Sequence, residues 1–198
     1  MKEKQIWFLL IVLMAGIISL GSYWVFFKQE MRRSGLPIYD TVPHFTLTER
    51  SGKSVSLSDL KGQVWVADFI FTNCADICPM MSMRMKDLQE TAAANGIRLV
   101  SFSVDPDRDT PEVLKSYAEQ HGAQGERWLF LTGKETYIHQ LALKGFHLGV
   151  EKENPILHSN KFVLVDRRGR IRGYYESETP EGKSELIRAI TALQKEPA

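Results

Sequence analysis

Two cysteines, Cys74 and Cys78, are the only thiols in the chain, and Ala75-Asp76-Ile77 separates them. Thiols at this spacing can close on each other, exchange with an external disulfide, or hold a soft metal ion between them. A purely structural disulfide is the weakest of the three readings, because closing so short a loop removes little chain entropy from the unfolded state. The local sequence suggests how the pair is held. Val64 to Phe71 (VWVADFIF) is a nearly unbroken apolar and aromatic run that suits a strand buried on both faces. Pro79 fits the first position of a helix and biases Cys78 away from helical geometry. Both thiols are therefore expected in a loop at the carboxyl end of that strand, facing the positive amino end of the next helix. That setting favours thiolate over thiol.

A two-thiol metal site needs at least one more donor. Of the five histidines, His44, His121, His139 and His147 read as surface or packing residues. His158 differs, because it lies just ahead of the apolar run Phe162-Val163-Leu164-Val165. If that run pairs antiparallel with 64–71, its start lies beside the cysteines. Two thiolates and one imidazole form a soft, three-coordinate set suited to Cu(I), whereas zinc would call for a fourth ligand. Met80 and Met83 lie off the helix's buried stripe and read as surface packing. A peroxidatic Thr-x-x-Cys pattern is absent, since Phe71 and Ala75 stand three residues before the two cysteines.

The positioning elements follow from periodicity and breakers. Residues 44–47 and 54–57 flank a turn and form an expected hairpin. Met81, Met85, Leu88 and Ala92 make the buried stripe of the helix after the cysteines, and Asn95-Gly96 ends it. A strand is expected over 98–104. Thr110-Pro111 opens the next helix, and the Asp105-to-Pro111 segment organises the loop before it. A short strand over 128–131, a short helix over 135–143, a hairpin over 161–165 and 171–175, and a helix from Thr179-Pro180 complete the order. A βαβ unit followed by a hairpin and a closing helix is an α/β, thioredoxin-like three-layer sandwich, here with an N-terminal hairpin extension. Two helices are expected on one sheet face and one on the other.

Ahead of this domain, Ile6 to Phe27 runs 22 residues without a charge. As a helix it would span about 33 Å, enough to cross a hydrocarbon core of about 30 Å. Trp7, Tyr23 and Trp24 near its ends suit the interfaces. No small-x-small cleavage pattern follows, so the segment reads as an uncleaved transmembrane anchor. The expected organisation is a membrane anchor over 1–28, a linker over 29–43 and a thioredoxin-like domain over 44–198. The short N-terminal stub places the domain on the extracytoplasmic side, and the lack of an Arg/Ser-rich leader suits a bacterial envelope. A net charge of +1 offers no footprint for nucleic acid.

Three segments together resemble the Sco/SenC family of copper-binding proteins that serve cytochrome c oxidase assembly. They are Phe71-Thr72-Asn73-Cys74-Ala75-Asp76-Ile77-Cys78-Pro79, Ser103-Val104-Asp105-Pro106-Asp107-Arg108-Asp109-Thr110-Pro111, and His158-Ser159 ahead of Phe162–Asp166. The similarity covers residues 40–195 or so. It departs at Ala75, where the family usually has proline, and at Leu157, where aspartate is common. The resemblance implies copper held by Cys74, Cys78 and His158. It also implies delivery to the dinuclear copper centre in the copper-binding subunit of cytochrome c oxidase, with other copper chaperones or thiol reductants as further partners. The competing expectation is an enzyme, a thiol–disulfide oxidoreductase acting on exported cysteine pairs, with Cys74 and Cys78 as its redox-active pair.

Overall fold

A computed structural model describes residues 35–75, 77–149 and 159–196, with seven positions nearer the N-terminus (Trp7, Met14, Gly16 and 19–22). Asp76, Leu157, His158 and most of the expected span 6–27 lie outside the described residues. Among the described residues no helix is long and apolar enough to cross a membrane.

Eight strands form one mixed sheet. They are β1 (Asp40–Thr41), β2 (Thr46–Glu49), β3 (Ser54–Ser56), β4 (Trp65–Ile70), β5 (Arg98–Ser103), β6 (Trp128–Thr132), β7 (Lys161–Val165) and β8 (Arg170–Glu176), in the order β1-β8-β7-β4-β5-β6-β2-β3. The helices are α1 (Leu57–Leu60), α2 (Ile77–Asn95), α3 (Pro111–Gln120), α4 (Glu135–Gln140), running into a π turn over Leu141–Gly145, and α5 (Pro180–Lys195). This is the expected thioredoxin-like arrangement, and the β2–β3 hairpin extends the sheet beyond β6. Strand β4 sits at its centre, parallel to β5 and antiparallel to β7, and every residue of β4 is buried. That accounts for its apolar run, since a strand covered on both faces has no solvent side to make polar.

The two faces carry separate cores. Val64, Val66 and Ile70 point toward Met81, Met85, Leu88 and Ala92 of α2, Leu114 and Ala118 of α3, and Leu186, Ile190 and Leu193 of α5. Trp65, Ala67 and Phe69 point the other way, toward Leu57 and Leu60 of α1 and Ile138, Leu141, Ala142 and Phe146 of α4 and the π turn. The expected split of two helices against one is therefore corrected: α2, α3 and α5 share one face. The sheet order explains it. The chain steps from β4 to β5 to β6 in one direction, and two right-handed crossovers in the same direction put both helices on the same side. The second face is filled by α1 and the short α4 with its π turn, so the molecule still has three layers.

Candidate metal and thiol centre

Cys74 lies in the loop that leaves β4, and Cys78 lies in the first turn of α2. The helix starts at Ile77, so the expectation that Cys78 precedes it is corrected. Pro79 occupies the first turn rather than the first residue. The first turn's N–H groups have no intrahelical partner, so a proline there removes no bond. Cys78 is thereby fixed by the helix, and Cys74 by its loop.

Both cysteines are buried, at 8% and 2% exposure, and no disulfide joins them. The two thiols interact with each other, and the Phe71 N–H also reaches the Cys78 sulfur. The thiols are neighbours, as closing a disulfide or sharing one ion requires. Its electrostatics differ from the expectation. Burial pushes the Cys78 thiol well above its ordinary value, and the Cys74 contact and the nearby Asp68 charge push the same way, against the Phe71 N–H. The favourable helix end does not outweigh loss of water, and the low-pKa thiolate expected at Cys78 is corrected to a buried thiol.

Asp68 interrupts the apolar run of β4. It is fully buried on β4, and neither carboxylate oxygen has a partner in hydrogen-bond geometry. Burial raises its carboxyl to about 7, and the neighbouring Ser101 hydroxyl eases the charge only in part. Ser101 itself accepts a bond from Trp128 Nε1 at 2.9 Å. A lone acidic residue in VWVADFIF is the signal that could have found it.

This carboxyl makes stability depend on pH. The unfolded group loses its proton near 3.8, whereas the folded one keeps it to about 7. The stabilisation is thus fully present below about pH 4, declines as pH rises through that window, and is absent above it. At ~1.4 kcal/mol per unit the change is on the order of 4 kcal/mol. Asp68→Asn should flatten this slope, read as the urea midpoint of each chain from pH 5 to pH 8. An unchanged slope would mean that the buried carboxyl does not carry it.

The loop ahead of α3 reaches the pair's loop. Asp109, fully buried, accepts from the Thr72 N–H at 3.1 Å, the Thr72 hydroxyl at 2.5 Å and the Ser103 hydroxyl at 2.6 Å. Farther along α3, Tyr117 hydroxyl meets Ser82 Oγ at 2.8 Å and donates to the Cys78 carbonyl at 3.5 Å. The Asp105-to-Pro111 segment thus organises the loop beside the cysteines as expected, while its specific tie to Thr72 was not legible.

The rings of His121, His139 and His147 are engaged elsewhere, and His44 is tied through its backbone. Tyr137 hydroxyl donates to the His44 carbonyl, and the His121 ring rests on Tyr117 at 4.3 Å between centroids. His139 Nε2 contacts the Val104 carbonyl at 3.0 Å, and His147 pairs with Asp40 at 2.6 Å. Among the described residues no three His, Cys, Asp or Glu side chains gather into a metal-ready group. His158 lies outside the described residues.

Comparison with known proteins gives a consistent result. A family model described as SCO1/SenC matches residues 36–195. The SCO1 protein homolog of Bacillus subtilis is 44% identical over 141 residues, covering 68% of this chain and 73% of that protein. A Stutzerimonas stutzeri protein whose name ascribes copper binding to it is 30% identical over 148 residues, covering 70% of this chain and 71% of its own. The solved structure of BsSco is 39% identical with a TM-score of 0.70, covering 81% of this chain and 96% of that one. BsSco is described as having a disulfide switch and as a member of the Sco family of cytochrome c oxidase assembly proteins.

Proposed function

Because the chain belongs to the SCO1/SenC family, we propose that it is a membrane-anchored copper metallochaperone that holds Cu(I) on Cys74, Cys78 and His158 and passes it to the copper-binding subunit of cytochrome c oxidase. One observation carries this reading. Two interacting thiols stand buried at the end of the central strand. Two sulfur donors suit soft Cu(I), and burial keeps water and hard ligands from the ion. Binding would displace the thiol protons, so affinity should rise with pH.

The antiparallel pairing of β4 with β7, Trp65 opposite Val165 and Ala67 opposite Val163, supports His158 as the third donor, because the chain that enters β7 at Lys161 comes from the end of β4 that leads to the cysteines. The uncharged run Ile6 to Phe27, long enough as a helix to cross a hydrocarbon core, supports the anchor. The domain would then lie on the extracytoplasmic side.

Burial holds Cys78 as the thiol, so an oxidoreductase would attack through Cys74, the less buried of the two. The oxidoreductase reading keeps one support, the interaction between the neighbouring thiols, as closing the pair requires.

The test is an anaerobic Cu(I) titration of the reduced full chain, solubilised in detergent from membranes washed with alkaline carbonate. The expected result is one Cu(I) per chain, with X-ray absorption fitting two sulfurs and one nitrogen. Absence of stoichiometric binding would overturn the copper reading, and release of the chain by carbonate would overturn the anchor.

A further inference from the structure

We propose that Asp109 is a positioning residue for the cysteine pair. Through Thr72 it would set how far Cys74 stands from Cys78, and with that both the Cu(I) affinity and the ease of closing the disulfide. The copper half of this proposal rests on the metallochaperone reading; the disulfide half does not.

The two cysteines are held in different ways. Cys78 is built into the first turn of α2, whose Met81 and Met85 are fully buried against β4, and Tyr117 meets that turn at the Cys78 carbonyl. Its sulfur has little freedom. Cys74 is carried by the loop that leaves β4, where its N–H donates to the Phe71 carbonyl at 3.3 Å. What pins that loop to the rest of the fold helps to set the distance between the sulfurs.

Thr72, two residues before Cys74, provides such a pin. Its N–H and hydroxyl both donate to the Asp109 carboxylate, which the Ser103 hydroxyl holds from β5. A carboxylate that accepts three bonds away from water is a stiff anchor, because charge-assisted bonds are short and about twice as strong as neutral ones. Asp109 is itself fixed, with its N–H on the Asp105 carbonyl at 2.9 Å and the α3 cap Thr110 following it. The loop bearing Cys74 is thus referenced to β5 and α3, the elements that also support α2.

Copper binding and disulfide closure both need the sulfurs together. Closing the disulfide releases two protons and two electrons, which reduce oxidised glutathione to two glutathione thiols. A loosened Cys74 loop weakens both states. Residues that orient metal ligands from behind typically change affinity 10–100-fold when lost.

The decisive pair of variants is Thr72→Val and Thr72→Ser in the full chain. Valine keeps the shape and the backbone N–H but loses the hydroxyl donor; serine keeps the donor. Thr72→Val should bind Cu(I) about tenfold or more weakly and shift the disulfide equilibrium with glutathione about tenfold toward the dithiol, roughly 30 mV for two electrons. Thr72→Ser should restore both. Asp109→Ala should exceed Thr72→Val if it folds, and the Thr72 pair decides the matter if it does not. A role confined to folding would lower the thermal midpoint and leave both equilibria at 25 °C unchanged; that result would overturn the proposal. If the unaltered chain binds no Cu(I), the metallochaperone reading fails, and the glutathione equilibrium still tests Asp109.

Discussion

Cu(I) affinity of the reduced full chain is expected to fall about a hundredfold or more in Cys78→Ser and in Cys74→Ser, and about tenfold in His158→Ala. Serine places a hard, protonated hydroxyl where a soft thiolate is needed. Even residues that only steady a metal ligand cost 10–100-fold, so loss of a ligand itself should reach at least the top of that range. Cys78→Ser carries a second cost, because a hydroxyl at a position only 2% exposed must find its own partner. His158→Ala is milder because both sulfurs remain. Competition against a chromophoric Cu(I) chelator measures all three. Equal losses for the two cysteines with none for the histidine would favour a two-sulfur site. Unchanged affinity in either serine variant would remove the cysteine pair as the copper site.

Phe102→Ala should cost about 3–5 kcal/mol, the usual range for emptying a buried aromatic position. Phe102 on β5 is fully buried, stacked on Phe69 at 4.9 Å and in contact with the rings of Phe45 and Phe146, each 5.5 Å away. Rings on three sides leave little to collapse into the space. Phe102→Leu should cost much less, within about 1.5 kcal/mol. Denaturant unfolding of both variants reads the difference, and a loss below about 1 kcal/mol for alanine would show that the cluster closes over the gap. This cluster lies on the sheet face opposite the cysteine pair. Copper affinity of the folded Phe102→Ala chain should therefore stay near that of the unaltered one. Measured together, the Phe102 and Cys78 variants separate loss of fold from loss of site.

Most of the fold was legible in the chain because local chemistry and tertiary packing agree. VWVADFIF becomes the central strand, and Met81, Met85, Leu88 and Ala92 are the buried stripe of α2. Thr110 and Thr179 cap their helices through side-chain bonds to Val113 and Gly182. Each is a pattern of a few neighbouring residues, and nothing distant opposes it. Legible in the same way were the cysteine pair and the Asp105-to-Pro111 loop, together with the family resemblance they carry.

What the chain could not reveal depends on distance in space. Pro79 signals a helix start, but it cannot say which of the first three residues it occupies, and packing drew Cys78 into the first turn. The helix end favours a thiolate, yet burial, a property of the whole fold, decided for the thiol. Asp68 looks like an interruption of an apolar run until both sheet faces close over it. Asp109 and Thr72 are 37 residues apart, and only the parallel pairing of β4 with β5 brings their loops together. The chain dictates which side chains are available. Their protonation and mutual reach follow from how much water the fold removes and which strands it sets side by side.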